Sequence, residues 1–258
     1  MGVINVTPDS FSGDGVGTDL DAAVSLARDL QGSGADILDV GGESSRPGAD
    51  PLAAETEAAR VVPAIRAIRA AVDLPIAVDT YHAVVAQCAI DAGAEIVNDI
   101  HGLQFDPAMA GVVAGTGAAL VAMHNQRGRV FHDVVADIRS GFVETLRLAD
   151  RAGIRRERIV LDPGFGFGWT PEQNLEMIRR LPELWDEELP LLVGPSRKST
   201  IGLVLGTTVD DRLEGTLAAA VTAIGAGADI IRVHDVREAV RAARVADAIV
   251  RDNWRSRP

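Results

Sequence analysis

The sequence is poor in several residue types, and each scarcity narrows what the protein can be. Among its 258 residues there is a single cysteine, Cys88, which excludes an internal disulfide and a cysteine-rich metal site. Acidic residues outnumber basic ones by 37 to 25, giving a net charge of −12. This balance argues against a nucleic-acid partner, because phosphate binding needs a basic face. Long apolar runs are also missing, so we expect no membrane contact and a cytoplasmic, soluble protein.

Lysine is the scarcest charged residue, and its one occurrence is informative. Of the 25 Lys plus Arg, only Lys198, in the segment "GPSRKS", is a lysine. A lone lysine in an arginine-rich chain indicates a position that needs a compact point charge rather than a planar guanidinium. Chance is the alternative explanation. We therefore expect Lys198→Arg to be poorly tolerated.

Short apolar runs alternate with longer amphipathic segments, which is typical of βα units around a parallel sheet. The predicted strands are Gly2–Val6, Ile37–Val40, Ile76–Val78, Ile96–Val97, Ala119–Met123, Ile159–Leu161, Leu191–Val193 and Ile230–Val233. The predicted helices are Leu20–Leu30, Ala53–Ala71, Ala83–Ala92, Pro107–Ala114, Val134–Ala152, Pro171–Leu184, Asp211–Ile224 and Val236–Val250. Eight such units predict an α/β protein with a TIM (β/α)8 barrel. A doubly wound open sheet is the alternative, but its glycine-rich dinucleotide fingerprint is absent after the first strand.

The domain prediction is a single barrel over residues 1–252 with a frayed C-terminal tail at 253–258. The first predicted strand starts at residue 2, so the barrel lacks an N-terminal extension before that strand. Either the natural N terminus is longer, or the bottom of the barrel is closed in another way.

Polar side chains follow the predicted strands, at the end where TIM barrels carry their chemistry. Asp39, Asp79 and Asp162 each follow an apolar run. A lone aspartate in such a place is more often a helix N-cap, but three around one ring favour a ligand with several N–H donors. Asn98 fits the same set, because an amide both donates and accepts. A fused heteroaromatic ring with amide and amino groups would suit these four.

A local cationic group is predicted in this acidic chain. Arg232 and His234 are two residues apart, on one face of the eighth strand. With Lys198, Arg197 and Arg46 they would surround the loops after strands seven and eight, the usual phosphate region of this fold. Arg46 and Arg197 have an alternative interpretation as solvated surface charges.

The other histidines carry less information. His124 is interpreted as a strand-end histidine with satisfied hydrogen bonds. The remaining three show no metal-ligand spacing along the sequence, namely His82, His101 and His132.

Long motifs in one order resemble the dihydropteroate synthase family. They are "GVINVTPDSFS", "DILDVGGESSRPGA", "VDT", "VNDI", "LDPGFGFG", "GPSRKS" and "RVHDV", and the resemblance runs from Gly2 to about Val250. It implies a TIM-barrel transferase of folate biosynthesis that joins 6-hydroxymethyl-7,8-dihydropterin diphosphate to 4-aminobenzoate and releases diphosphate. It further implies a homodimer, a Mg²⁺ requirement and inhibition by sulfonamides.

The resemblance also assigns residues by motif. The pterin site would comprise Asp79, Asn98, Ile100, Met123, Asp162, Lys198 and Arg232. The diphosphate site would comprise Asn5, Arg232 and His234, with Asn5 also touching the metal. The aminobenzoate site would comprise Ser45, Arg46, Pro47, Phe167, Lys198 and Ser199. The catalytic set would be Asp79, Asp162, Lys198, Arg232 and His234.

The family mechanism begins with loss of diphosphate, which leaves a pterin cation that carboxylates stabilise.

The alternative function is a pterin-binding homologue without synthase activity, either a methyltransferase pterin domain or a catalytically silent paralogue. The chain departs from the family pattern at Ser45, Trp169 and Thr200 and in the loop after His124. These departures lie on the aminobenzoate side.

Overall fold

Strands and helices alternate along the whole of the computed structural model, which describes residues 1–7, 17, 19–43, 51–184 and 189–252. The strands are β1 (Gly2–Asn5), β2 (Leu38–Gly41), β3 (Ile76–Asp79), β4 (Ile96–Asp99), β5 (Ala119–Met123), β6 (Ile159–Asp162), β7 (Leu192–Val193) and β8 (Ile230–Ile231). The helices are α1 (Leu20–Gly32), α2 (Ala54–Arg69), α3 (Ala83–Asp91), α4 (Met109–Thr116), α5 (Val134–Ala152), α6 (Pro171–Arg179), α7 (Ser199–Leu205), α8 (Leu213–Gly225) and α9 (Val236–Val250).

The eight strands form a closed parallel barrel in chain order. Strands β1 to β6 make one parallel sheet, and β7 pairs with β8 in parallel. Two isolated parallel bridges complete the ring, Leu161 with Leu191 between β6 and β7, and Gly2 with Val233 between β8 and β1. The predicted TIM barrel is therefore confirmed.

The bottom of the barrel is filled by apolar side chains in two layers. Met1, Ala77, Val121 and Leu192 form one buried cluster, contributed by the odd-numbered strands and the residue before β1. Half-buried side chains from the even-numbered strands pack against it, namely Ile37, Ile96, Val160 and Ile230. Since inward-facing residues recur every second position, the next inward positions above the second layer are polar, namely Asp39, Asn98, Asp162 and Arg232.

Most predicted helices are found within a few residues of their expected bounds. One predicted helix is shorter than expected, and one observed helix was not predicted. The segment predicted as Pro171–Leu184 is helical only to Arg179 and then forms a short 3₁₀ turn at Leu181–Leu184. Pro182 explains the break, because a proline disfavours helical geometry in the residue before it. Helix α7 was not predicted, since its seven residues are too few to show a helical period.

The two chain ends have different outcomes. The Met1 side chain lies in the apolar layer with Ala77, Val121 and Leu192, and its ammonium donates to the Ile231 carbonyl at 2.9 Å. Burial lowers the pKa of this ammonium. The predicted tail at 253–258 lies outside the described residues, so the domain bounds stay a prediction. No helix among the described residues is long and apolar enough to cross a membrane.

Because the interior is packed in layers, truncating one buried side chain should markedly lower the free energy of unfolding. Leu192 is fully buried in the apolar layer with Met1, Ala77 and Val121, so Leu192→Ala should lower the free energy of unfolding by about 2–5 kcal/mol. Leu175 on α6 is 46% exposed and provides the matched control, with an expected loss below about 1 kcal/mol for Leu175→Ala. Urea unfolding followed by circular dichroism measures both. Equal losses would contradict the layered packing.

Candidate active site

The mouth of the barrel is organised around one arginine. Arg232, directly after β8, reaches across the barrel interior and donates from Nε to Asp39 Oδ2 at 2.6 Å. Its Nη2 donates to Asp79 Oδ2 at 2.8 Å. Asp39 is fully buried, while the side chains of Asp79 and Arg232 are 18% and 22% exposed. A single guanidinium therefore bridges the ends of β2 and β3 and leaves one side open to the mouth.

Asn98, at the end of β4, completes this group from the opposite side. Its Nδ2 donates to Asp39 Oδ2 at 3.1 Å, and its side chain is buried. Asp39 Oδ1 is also buried and has no hydrogen-bond partner among the described residues. Because buried carboxylate oxygens are rarely left unpaired, this atom retains an unused capacity to accept a hydrogen bond.

Burial makes the carboxylates of the mouth unusually reluctant to ionise. Burial raises the pKa of Asp79 to about 7, although Arg232 works in the opposite direction and Asp39 adds to the rise. Burial likewise raises the pKa of Asp162, at the end of β6, to about 6, with Lys198 and the Gly164 N–H lowering it in part. Such shifts are typical of sites poised to stabilise charge on a ligand.

Lys198 lies against the glycine-rich loop that follows β6. Its Nζ donates to the Phe165 carbonyl and lies 4.6 Å from the centre of the Phe167 ring. Burial lowers the pKa of Lys198 to about 7, and Asp162 opposes that shift. A Cβ added at Gly166 would lie 2.7 Å from Lys198 Cδ, so the space around the lysine stem is fully used. This crowding gives a physical reason for a slim ammonium here, and intolerance of Lys198→Arg stays a prediction.

Asn174 on α6 braces the same loop and was not found by sequence reasoning. Its Oδ1 accepts the Gly166 N–H at 2.6 Å, and its Nδ2 donates to Thr170 O at 3.0 Å and Thr200 Oγ1 at 3.1 Å. The side chain is buried. An asparagine on a helix gives no such signal in a single sequence. Thr200, noted as a departure from the family pattern, serves this brace.

The predicted phosphate side is partly assembled. His234 follows β8 and its Nδ1 lies 2.9 Å from Ser196 Oγ, in the loop after β7. Asn5, at the end of β1, places its Oδ1 on the same rim, 3.9 Å from where a Cβ on Gly41 would lie. Arg197 is not a solvated surface charge, because its guanidinium donates twice to Asp235, from Nε at 3.0 Å and Nη2 at 2.5 Å.

An apolar wall lines one side of the mouth. Ile100, Met123 and Phe167 form a separate buried cluster, and Tyr81 packs against it. The Arg127 guanidinium lies 4.7 Å from the centre of the Phe167 ring, on the rim after β5. Sequence reasoning singled out the first three residues and missed Arg127. An aromatic ring with a cation close by is a favourable surface for another flat, electron-rich ring.

The other predicted residues have mixed outcomes. Ser45, Arg46 and Pro47 lie outside the described residues, and Ser199 is exposed at the first position of α7.

His124 is buried and its Nε2 lies 2.9 Å from Gln126 Oε1, but its Nδ1 has no hydrogen-bond partner among the described residues. Trp169 is buried with its ring centre 5.7 Å from that of His124, and it belongs to the main core rather than to the apolar cluster at the mouth.

Comparisons with known proteins agree with this geometry. A family model described as pterin binding enzyme matches residues 1–234. Dihydropteroate synthase from Clostridium beijerinckii is 46% identical over 252 residues, with 97% of this chain and 94% of the relative covered. The crystal structure of the Clostridium difficile dihydropteroate synthase, in the presence of pteroic acid, has a TM-score of 0.93 and 47% identity. That match covers 97% of this chain and 96% of the other.

A more distant structure shows the same relationship. Dihydropteroate synthase from Xanthomonas albilineans with 4-aminobenzoic acid has a TM-score of 0.91 at 40% identity and covers 100% of this chain and 93% of its own. The chain therefore belongs to the pterin binding enzyme family. Within that family it belongs to the dihydropteroate synthases, which are transferases of folate biosynthesis.

Gly164 is the residue on which the geometry of the loop after β6 depends most. Its φ is +79°, and an added Cβ would lie 2.0 Å from the His124 carbonyl oxygen. Gly164→Ala should therefore force the loop away from β5, weaken substrate binding at least tenfold, and destabilise the fold. Gly153 is the matched control, because its φ is +82° and nothing lies within 4 Å of an added Cβ.

Gly153→Ala should cost only the backbone strain of a left-handed alanine, about 1 kcal/mol, with turnover unchanged. Thermal unfolding and steady-state kinetics on both variants make the comparison. Similar behaviour of the two variants would contradict a steric role for Gly164.

Proposed function

We propose that the Arg232-bridged carboxylates bind the pterin ring of 6-hydroxymethyl-7,8-dihydropterin diphosphate at the mouth of the barrel. Asp79, Asp162 and the unpaired Asp39 Oδ1 would supply hydrogen-bond acceptors, and Asn98 and Lys198 would supply donors. A pterin carries amide and amino N–H groups together with carbonyl and ring-nitrogen acceptors, so it matches this set. Ile100 and Met123 would contact the faces of the ring, and Arg232 would stack against it.

The diphosphate would lie over Asn5, Arg232 and His234, where the eighth strand adds positive charge to an acidic protein. The residues present also fit a Mg²⁺ ion, because Asn5 offers a side-chain oxygen on the rim and Mg²⁺ takes most of its other ligands from phosphate and water. When bound, the ion would neutralise charge on the departing diphosphate. Asn5 would hold it, and His234, fixed by Ser196, would donate to a phosphate oxygen.

The chemistry follows from this placement of charge. The bond between the methylene carbon and the diphosphate oxygen breaks first, with its electron pair leaving on the diphosphate. The positive charge that develops on the pterin is stabilised by Asp79 and Asp162, whose buried carboxylates gain an ionic partner. The amine nitrogen of 4-aminobenzoate then attacks the methylene carbon and afterwards loses a proton. A neutral aromatic amine needs no strong general base for this attack.

The second substrate would bind beside Phe167, Lys198 and Ser199, and the resemblance adds Ser45, Arg46 and Pro47 as further contacts. Phe167 has two cations close to its ring centre, Lys198 Nζ at 4.6 Å and the Arg127 guanidinium at 4.7 Å. The aromatic amine would pack on this ring, and its carboxylate would face the positive rim. Sulfonamides resemble 4-aminobenzoate and would compete for the same place.

Assembly and location remain part of the proposal. A homodimer is supported by exposed apolar side chains on α7 and α9, including Leu203 at 67% and Ile249 at 78% exposure. The cytoplasm is supported by the single cysteine, which leaves no internal disulfide to maintain. Sedimentation of the purified protein at several concentrations measures the oligomeric state, and a concentration-independent monomer would contradict the dimer.

The direct test of the proposed function is turnover. The purified protein is supplied with pterin diphosphate, 4-aminobenzoate and Mg²⁺, and dihydropteroate and diphosphate are measured together. Equal amounts of both products are expected. Pterin binding without either product would contradict the assignment of this chain as an active synthase.

A variant at His234 separates the two halves of the proposed site. His234→Ala should lower kcat/KM for pterin diphosphate by about 10²-fold or more, because a donor to the leaving group is lost. Binding of 6-hydroxymethylpterin, which has no diphosphate, should change less than threefold. Asp79→Asn is the counterpart variant, and it should lower kcat/KM for pterin diphosphate and also weaken binding of 6-hydroxymethylpterin. Equal losses in both measurements for His234→Ala would show that its role is misassigned.

A further inference from the structure

A second cluster of metal-ligating side chains lies outside the pterin site. Glu43 follows β2, Glu57 lies on α2, and His82 is the N-cap residue of α3. Their candidate ligand atoms all lie within 4.8 Å of one another, and this is the one such cluster in the described ranges. Spacing along the sequence could not reveal it, because three separate elements contribute one residue each.

Two carboxylate oxygens in this cluster are buried without hydrogen-bond partners among the residues that the structure describes. They are Glu43 Oε2 and Glu57 Oε1. The Glu57 side chain is only 1% exposed, so bulk solvent does not reach this oxygen. Burial raises the pKa of the Glu57 carboxyl, and the neighbouring His82 and Thr80 side chains oppose that rise in part. An unpaired buried carboxylate oxygen is costly, which indicates that something positive belongs beside it.

The remaining contacts hold the three ligands in orientation. Tyr81 donates its hydroxyl proton to Glu43 Oε1 at 2.7 Å, which leaves Oε2 free to face the cluster. His82 Nδ1 lies 2.8 Å from Glu57 Oε2, and the His82 ring packs on Tyr81 with 4.4 Å between ring centres. A hydrogen bond that fixes a metal-binding carboxylate is a common feature of built metal sites.

We propose that Glu43, Glu57 and His82 bind one first-row divalent transition metal ion, with Zn²⁺ the best fit. A set of two carboxylates and one imidazole suits Zn²⁺ better than Mg²⁺, which prefers oxygen ligands alone. Ligands of one Zn²⁺ ion are separated by roughly 3.3–3.6 Å, since each lies about 2.0–2.2 Å from the metal. Small side-chain rotations would bring the three atoms to that spacing, and a water molecule would complete a tetrahedral shell.

The ion would have a structural role at the edge of the active site. It would neutralise the two glutamates and tie the end of β2 to α2 and to the start of α3. Glu43 directly precedes residues 44–50, which carry the predicted aminobenzoate residues Ser45, Arg46 and Pro47. The site is therefore separate in its ligands from the Asn5 position proposed for Mg²⁺.

Zinc binding to untagged, chelator-treated full-length protein tests the proposal. Competition with a chromophoric chelator should give one Zn²⁺ per chain, and excess Mg²⁺ should not displace it. X-ray absorption at the zinc edge should show one nitrogen ligand with the rest oxygen. Zinc should also raise the midpoint of thermal unfolding by several degrees.

Isosteric variants keep the test independent of misfolding. Glu57→Gln removes the charge without changing shape, and His82→Asn removes the imidazole. Each should weaken Zn²⁺ binding at least tenfold and abolish the thermal shift. His132→Ala is the matched control, because His132 makes an exposed pair with Asp137 elsewhere, and it should bind zinc normally. Asn5→Ala should also retain zinc binding.

Three results would overturn the proposal. The first is zinc binding that is unchanged in both Glu57→Gln and His82→Asn. The second is loss of zinc binding in Asn5→Ala, which would place the ion at the diphosphate site. The third is no stoichiometric zinc binding to the native chain, which would make Glu57 and His82 an ion pair only.

Discussion

The bridge from Arg232 to Asp39 and Asp79 is the interaction on which the site depends. It joins β8 to β2 and β3 across the inside of the barrel, with hydrogen bonds of 2.6 and 2.8 Å. Removing one partner of a buried charged pair usually costs about 3–5 kcal/mol, because the other charge is left uncompensated. The floor of apolar layers beneath keeps water away and so makes the bridge necessary. The fold and the site are therefore constrained by the same few residues.

At the mouth of the barrel, carboxylates outnumber cations, and this excess of negative charge would favour a cationic pterin. Among the described residues, the Asp39, Asp79 and Asp162 carboxylates outnumber the neighbouring cations Arg232 and Lys198 by one charge when all five groups are ionised. Burial is the main cause of the raised pKa values of Asp79 and Asp162, and the neighbouring Asp39 carboxylate adds to both rises. A pterin that becomes cationic as diphosphate leaves would supply the missing charge. On the proposed binding mode, the site would match the transition state better than the neutral substrate.

Much of this arrangement could be predicted from the sequence, for a physical reason. Strands buried on both faces leave short apolar runs, and the residue that ends each run marks the mouth, as Asp79, Asn98 and Asp162 do. The bridging role of Asp39 could not be predicted, because it depends on the reach of Arg232 across the barrel. Asn174 and the Glu43, Glu57 and His82 cluster were equally hidden, since each joins elements distant in sequence. Helix α7 was not predicted, because its seven residues are too few to show a helical hydrophobic period.

The protonation state of Asp79 tests the account most directly. In protein labelled with ¹³C at aspartate carboxyls, the Asp79 signal is assigned by its loss in Asp79→Asn and followed against pH. Burial should give a midpoint near 7 in the free protein, and near 6 for Asp162. Bound 6-hydroxymethylpterin donates N–H groups to the ionised form, so the Asp79 midpoint should fall by at least one pH unit. A free-protein midpoint near 4, unchanged by the pterin, would contradict the account.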